Sequence, residues 1–521
     1  MKSWSTKSVL VLGLGETGLS MVRWLATQGA KLRVADSRTA PAGLEAVGQF
    51  VDKNQIVCGE FSDALFDGID LIAISPGVPL SDLHVARAVA RGIPVVGDIA
   101  LFTQQLTTHH SPLFSKVLAI TGSNGKTTVT SMVAHMCQAA GCDAVAAGNI
   151  SPAVLDVVMQ RGEKQPGVWV LELSSFQLET TSGLNADAAT VLNVCEDHLD
   201  RYDGMDEYAA AKERVFQGCG VCIVNREDAR SLGMMRAGRE YVSFGLNAPQ
   251  READFGIERD EDAIWLVQGN QRLMTASELQ LAGLHNVANA LAALALCRAI
   301  DLPMPVLLGA LRGFKGLPHR VERIASLNGV TYYDDSKGTN VGATVAALEG
   351  LGCKAVLIAG GMGKGQDFSP LNAVVKQHAR AVVLIGRDAP LIEAALQGCD
   401  VTLRHAVDMD DAVQQATQFA RPGDAVLLSP ACASFDMYRN YAHRAEAFVD
   451  AVRDMASGHG KIHKEEICHA LLPHPNPDET TSHSTKASKD DAQVAGYLPQ
   501  AVEGANESLR EFQSTRVTWS H

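Results

Sequence analysis

The chain has 521 residues, about three domains at roughly 150 residues each. Hydrophobic residues make up 46% and charged residues 20%, a balance that predicts globular domains with buried cores. With 45 Lys and Arg against 59 Asp and Glu the net charge is −14, which argues against general binding of nucleic acid or anionic lipid and leaves room for a local basic site for a small anion.

The first block spans residues 8–106. The apolar run after Lys7 enters a glycine turn, so it reads as a strand and not as a signal peptide. Strands are predicted at 9–12, 32–35, 71–74 and 95–96, with helical stretches between them. The first strand leads into Gly13-Leu14-Gly15-Glu16-Thr17-Gly18, and Asp36 ends the second. A glycine turn opening a helix, with a downstream acid, fits a dinucleotide such as NAD. It equally fits any nucleotide diphosphate, a UDP-sugar included. Residues 107–112 read as a linker.

The second block spans 113–315, with strands predicted at 117–120, 168–173, 189–194 and 221–224 and a long helix over 286–300. The apolar stretch 287–300 is too short to span a bilayer. After the first of these strands comes Thr121-Gly122-Ser123-Asn124-Gly125-Lys126-Thr127-Thr128, followed by a helical stretch over 129–140. Glycines let backbone N–H groups wrap phosphate oxygens, and the helix N-terminus adds positive potential. Lys126 is placed to reach the outer phosphates and the Thr127 hydroxyl to ligate Mg²⁺. The spacing departs from the common form, since only two residues separate Gly122 from Gly125. Glu172, at the end of a neighbouring strand, is an oxygen ligand suited to completing that Mg²⁺ shell. His198, in the loop after the next strand, reads as a ligand, a base or a satisfied loop histidine. Taken by itself, Lys212 reads as a solvated surface lysine.

The third block starts at the Gly316-Leu317-Pro318 hinge, with strands predicted at 355–359, 381–385 and 425–428. Arg320, beside the hinge, is placed to swing onto a phosphate. Three strand-end loops, over 333–340, 360–364 and 429–435, predict one shared binding edge. The alternation of short apolar strands with helices predicts α/β domains with parallel, doubly wound sheets. The last stretch, 458–521, is polar and turn-rich and is expected to be disordered. It holds six of the 16 histidines at irregular spacing, and no cysteine pair accompanies them. The eleven cysteines read as reduced thiols, because Cys219 and Cys222 form a CxxC without a second pair at zinc spacing.

The motifs TGSNGKTT, ELSSFQLE, NVCEDHLDRY, LHNVAN, GLPHR, DDSKGTN, GGMGK and SPACAS, collinear between about residues 8 and 455, resemble those of the Mur ligases, in particular the glutamate-adding branch. The resemblance implies an N-terminal Rossmann-like domain (1–110) for UDP and a central P-loop-type mononucleotide-binding domain (111–316) for ATP. A C-terminal Rossmann-like ligase domain (317–457) would follow, and the tail (458–521) lies outside the resemblance. The implied reaction adds D-glutamate to the alanyl carboxylate of UDP-N-acetylmuramoyl-L-alanine at the expense of ATP, through an acyl phosphate. The implied enzyme is a cytoplasmic monomer of peptidoglycan precursor synthesis acting on small molecules, with no nucleic-acid or membrane partner.

Site residues follow from the same resemblance. Gly15, Thr17, Asp36, Ser37, Arg38, Ser75 and Gly77 would serve the UDP end, and Asn149, Ser174 and Gln177 the muramoyl-alanine portion. Residues 122–128 would cradle the ATP phosphates, with Asn286 and Asn289 at adenine, Arg320 at phosphate and Asp335 at ribose. Lys337, Thr339, Lys364, Ser434 and Phe435 would surround the incoming glutamate. Thr127 and Glu172 would hold one Mg²⁺ and His198 and Lys212 a second, with Lys212 carbamylated by CO₂. The alternatives are another amide ligase of the superfamily, an NAD-dependent oxidoreductase, and an inactive binding module. A γ-phosphate lysine argues against the oxidoreductase. The presence of Lys126, Glu172, His198 and Lys212 together argues against the inactive module.

Overall fold

The computed structural model describes residues 4–108, 115–261, 263–281 and 283–458; the polar tail and most of the expected linker lie outside them. The first sheet holds β1 (Ser8–Leu12), β2 (Lys31–Asp36), β3 (Ile56–Cys58), β4 (Leu71–Ile74) and β5 (Val95–Val96). Its order is β3-β2-β1-β4-β5 and every pair is parallel. The order reverses at β1, so the loops leaving β1 and β4 open a crevice at the carboxyl edge. Val9–Leu12 are fully buried, as befits a strand covered on both faces.

The helix Glu16–Thr27 starts directly after the β1 glycine turn and packs hard on it: a Cβ on Gly18 would lie 1.7 Å from the Gly13 carbonyl oxygen. Gly18→Ala is therefore expected to destabilise the protein by about 1–3 kcal/mol through overpacking against backbone. A lower denaturant midpoint for the first unfolding transition is the expected result; an unchanged midpoint would contradict the contact.

The second sheet holds β6 (Lys116–Thr121), β7 (Ala144–Gly148), β8 (Val168–Glu172), β9 (Ala188–Val191), β10 (Val221–Asn225) and β11 (Tyr241–Phe244). The order is β11-β10-β9-β6-β8-β7, again all parallel. β6 lies between β8 and β9, so the loop leaving β6 rises between Glu172 and the 192–198 loop. β7 and β11 have no counterpart among the predicted strands, and two predicted elements differ in bounds that matter to the site. β9 ends at Val191 and not at 194, because Asn193 leaves the ladder to bond the phosphate loop. The helix Lys126–Ala139 starts three residues before the predicted 129, so Lys126 and Thr127 occupy its first turn.

A three-stranded antiparallel sheet follows: β12 (Phe255–Arg259), β13 (Ile264–Gln268) and β14 (Gln271–Thr275). The expectation of parallel sheets throughout does not hold for it. Phe255, Ile257, Leu266 and Met274 join the core formed with the helix Leu284–Arg298, while charged residues between them face outward.

The last sheet holds β15 (Glu322–Leu327), β16 (Val330–Asp334), β17 (Ala355–Gly360), β18 (Ala379–Ile385), β19 (Thr402–His405) and β20 (Ala425–Leu428). The order is β15-β16-β20-β17-β18-β19, with β15 antiparallel to β16 and the other pairs parallel. β16, β20 and β17 are neighbours, so the three predicted loops do share one edge. An isolated bridge between Met362 and Ala433 ties two of them together. No helix among the described residues is long and apolar enough to cross a membrane.

Candidate active site

The phosphate loop is built by its own backbone. Gly125 adopts φ +83°, and a Cβ there would lie 2.6 Å from Asn289 Oδ1, so only glycine fits the turn into the helix. The Asn124 N–H donates to Asn193 Oδ1 at 2.8 Å, which fixes the loop to the strand-end beside it. Lys126 folds back, and its Nζ donates to the carbonyls of Gly122 at 2.7 Å and Ser123 at 2.9 Å. Burial holds its pKa below the ordinary lysine value, while Glu172 and Asp197 oppose the shift.

Glu172 is buried at the end of β8. Its Oε1 accepts from Asn149 Nδ2 at 2.8 Å. Its Oε2 is buried with no hydrogen-bond partner among the described residues. A buried carboxylate oxygen without a partner is costly unless a cation completes it.

Lys212 does not behave as a surface lysine. It is 1% exposed, and its Nζ donates to the same Gly122 carbonyl at 2.9 Å and sits 4.4 Å from the Tyr208 ring centroid. Burial, and then the neighbouring Lys126 ammonium, push its pKa well below the ordinary value. His198 stands beside it with φ +56°, and its Nε2 is 3.6 Å from Asp197 Oδ2. Burial lowers the imidazole to about 4, despite Asp197, so it is neutral and able to ligate at pH 7.

The loops around the last sheet close over this loop. Arg320 Nη2 donates to Thr127 Oγ1 at 2.7 Å. Asn124 and Asn340 exchange side-chain hydrogen bonds at 3.2 and 3.0 Å. Lys364 Nζ reaches Asp197 Oδ1 at 3.3 Å. Between them lies a cavity of about 380 Å³. Asn286, Asn289 and Leu192 line one wall, Arg320, Asp335 and Lys337 the other, and Asn124, Gly125 and Thr128 its floor. Burial raises Asp335 to about 7, although Ser429 donates to it at 2.7 Å. Burial lowers Lys337 to about 8, helped by Arg320. The residues expected at ATP are thus brought together.

At the first sheet the picture is more divided. Asp36 is buried, and its carboxylate accepts from Leu14 N–H at 2.7 Å and from the Arg38 guanidinium at 2.9 and 2.7 Å. Those bonds, the Arg38 side chain first, hold it down to about 2. Asp36 therefore fixes the glycine turn and presents Arg38, while Gly15, Ser37 and Gly77 are exposed at the rim and Thr17 is half-buried. Ser75 is buried in the facing turn.

Ser174 and Gln177 form a capping box at the start of the helix Ser175–Glu179. Gln177 Nε2 also donates to Asp98 at 3.0 Å, so both ends of its amide are engaged within the protein. Asn149 is exposed beside Glu172. Of the residues expected at glutamate, Ser434 is buried, Thr339 half-buried and Phe435 67% exposed. Lys364 reaches the loop of His198, and Phe435 makes no comparable contact with the cluster.

Several contributors were not singled out by sequence. Asp197 gathers Lys364, Asn340 and His198 at one carboxylate. Tyr208 lies under Lys212, and Asn340 bridges to the phosphate loop. Asp197 is within the NVCEDHLDRY motif, whose spacing gives no sign of which acid turns inward.

Three family models match in order: Mur ligase MurD-like, N-terminal domain over residues 7–97, Mur ligase middle domain over 120–297, and Mur ligase, glutamate ligase domain over 319–432. The UDP-N-acetylmuramoylalanine–D-glutamate ligase of Nitrosomonas europaea is 56% identical over 458 residues, covering 87% of this chain and 97% of that relative. That of Nitrosospira multiformis is 57% identical over 453 residues, covering 86% and 96%. Among solved structures, the UDP-N-acetylmuramate-alanine ligase of Thermotoga maritima superposes with a TM-score of 0.55 at 18% identity, covering 86% of this chain and 99% of that one. A pseudomurein peptide ligase type C from Methanothermus fervidus gives 0.54 at 17% identity, covering 87% and 100%. At such identities these two structures speak to the fold.

Proposed function

The chain belongs to the Mur ligase family, and from that premise we propose how its residues divide the reaction. The protein is an ATP- and Mg²⁺-dependent acid–amino-acid ligase that adds D-glutamate to UDP-N-acetylmuramoyl-L-alanine in peptidoglycan precursor synthesis. We infer that it works in the cytoplasm as a monomer. Residues 1–110 take the UDP end, 111–316 ATP, and 317–457 the amino acid.

In this reading the alanyl carboxylate attacks the γ-phosphate, giving an acyl phosphate and ADP. The glutamate amine then attacks the acyl carbon, phosphate departs, and the amine loses its proton. Lys126 offsets repulsion between the approaching anions, and Arg320 holds the phosphates from the opposite wall. Asn286 and Asn289 take adenine and Asp335 the ribose. Lys337, Thr339, Lys364, Ser434 and Phe435 receive glutamate. The cross-sheet contacts exclude water from an intermediate that water would destroy.

A divalent cation supplies charge neutralisation between carboxylate and phosphate. Glu172 fits as a ligand because its buried Oε2 lacks a partner among the described residues, and Thr127 offers a hydroxyl in the first turn of the helix Lys126–Ala139. His198 fits as a neutral imidazole. Lys212 does not fit as an ammonium, which only donates. It fits as a carbamate, formed when its unprotonated amine attacks the CO₂ carbon and gives up a proton to solvent, and its lowered pKa favours that amine. We therefore assign one ion to Thr127 and Glu172, and a second to His198 and carbamylated Lys212.

The observation that carries the reading is Arg320 on Thr127, which joins the phosphate loop to the amino-acid edge. The test is phosphate release with ATP, Mg²⁺ and UDP-N-acetylmuramoyl-L-alanine, adding D-glutamate, L-glutamate, lysine or diaminopimelate singly. Release is expected only with D-glutamate, with a product heavier by one glutamyl residue. Release with L-glutamate alone would overturn the isomer. Release with none would overturn the acceptor.

A further inference from the structure

His198 holds a left-handed backbone conformation, φ +56°, which a side-chain-bearing residue keeps only when its surroundings enforce it. Arg201 is tied to it at both ends. The Arg201 N–H donates to the His198 carbonyl at 2.9 Å, so the two residues share one turn. Its side chain then leaves the second sheet altogether. Nη1 donates to the Pro76 carbonyl at 3.0 Å and Nη2 to the Val78 carbonyl at 3.3 Å, both in the turn after β4. On the way the guanidinium stacks over Phe176, 4.2 Å from the ring centroid. Phe176 in turn meets the His198 ring edge-on, with centroids 4.7 Å apart.

The neighbouring carboxylate does not account for this placement. Glu179 stands 3.5 Å from Nη2, and its other oxygen accepts the Tyr202 hydroxyl at 2.5 Å. The shorter bonds of Arg201 are to the two carbonyls in the turn after β4. Gly77, between those two carbonyls, is exposed.

We propose that Arg201 is a positioning residue that couples occupancy of the Ser75–Val78 turn to the placement of His198. The proposal rests on the reading that this turn takes the substrate diphosphate and that His198 faces a metal. A ligand that orders the turn orders the two carbonyls, these hold the guanidinium, and the guanidinium fixes the His198 ring through Phe176. Metal and UDP-substrate then favour each other's binding, by the reciprocity that linked sites must obey.

The test uses Mn²⁺ as probe, free Mn²⁺ being read by electron paramagnetic resonance, with and without UDP-N-acetylmuramoyl-L-alanine and in the absence of ATP. Substrate affinity is measured separately by calorimetry without any divalent ion. In the wild type the substrate is expected to tighten Mn²⁺ binding about fivefold or more, the lower end of ordinary coupling. Arg201→Met is expected to weaken the substrate about tenfold and to cut the Mn²⁺ effect below about twofold. Arg201→Lys, which still reaches one carbonyl but does not stack, recovers part of the substrate affinity without the coupling. Phe176→Leu leaves the carbonyl contacts in place and is expected to keep substrate affinity while losing the coupling, which covers a misfolded Arg201 variant. Coupling that survives in Arg201→Met or in Phe176→Leu would overturn the proposal, as would a wild type that binds substrate with no effect on Mn²⁺. A wild type that fails to bind the substrate would instead overturn the diphosphate reading beneath it.

Discussion

Lys126→Ala is expected to lower turnover at least about a hundredfold, the low end of the 10²–10³ lost with one preorganised electrostatic stabiliser. The reason lies in the loop itself. Lys126 starts the helix Lys126–Ala139, and its ammonium is held by the Gly122 and Ser123 carbonyls, which lie in the loop expected to carry the phosphates. Alanine is a better helix former than lysine, so the helix should survive the change. The loss should therefore fall on kcat, with thermal stability little changed. Steady-state phosphate release beside a melting curve separates the two. A variant retaining a tenth of wild-type turnover would contradict the role of Lys126.

Lys212→Ala is expected to cost a similar factor and, unlike Lys126→Ala, to be partly restored by millimolar short carboxylates such as acetate or propionate. The buried Nζ of Lys212 occupies a space closed by Tyr208 and the Gly122 carbonyl. Removing the side chain leaves room there, and a small carboxylate brings the same oxygen donors as a carbamate. The direction of the pKa supports the chemistry. Burial favours the unprotonated amine, and only that form attacks CO₂. Activity of the wild type should accordingly fall when CO₂ and bicarbonate are stripped from the buffer. No rescue in a folded variant would sink the carbamate and leave Lys212 as a structural amine.

The legible part of the fold was the part buried on both faces. β1, β4, β17 and β20 announce themselves as unbroken apolar runs, because helices cover a parallel sheet on either side. β7 is built from Ala144, Val145, Ala146, Ala147 and Gly148, side chains too small to stand out from the helices around them. β12 to β14 form a half-solvated antiparallel sheet, with Glu258, Arg259 and Arg272 exposed on it, and do not follow the βα rhythm. β15 has no unbroken apolar run to mark it, and its signal is the two-residue turn Asn328-Gly329, both at positive φ, that pairs it with β16.

At the site, Lys126, Thr127 and Glu172 could be placed from motif and strand-end position. Lys212 could not, since nothing near it in sequence says that its helix faces inward. Asp36 was legible as a residue at the strand end but not in its use, because its bonds to Leu14 and Arg38 depend on how two turns meet in space.

The cavity proposed for the nucleotide has Asn286 and Asn289 on one side and Arg320, Asp335 and Lys337 on the other. A compound shaped to the whole volume gains contact only when both walls have arrived. One that is too thick for the gap and rests on the Asn286–Asn289 wall alone acts as a wedge. It would leave the phosphate loop intact while keeping Arg320 from Thr127, stalling the enzyme in an open form. Design against this cavity is therefore a choice between a filler that traps the closed form and a wedge that forbids it, and the two should oppose each other's binding.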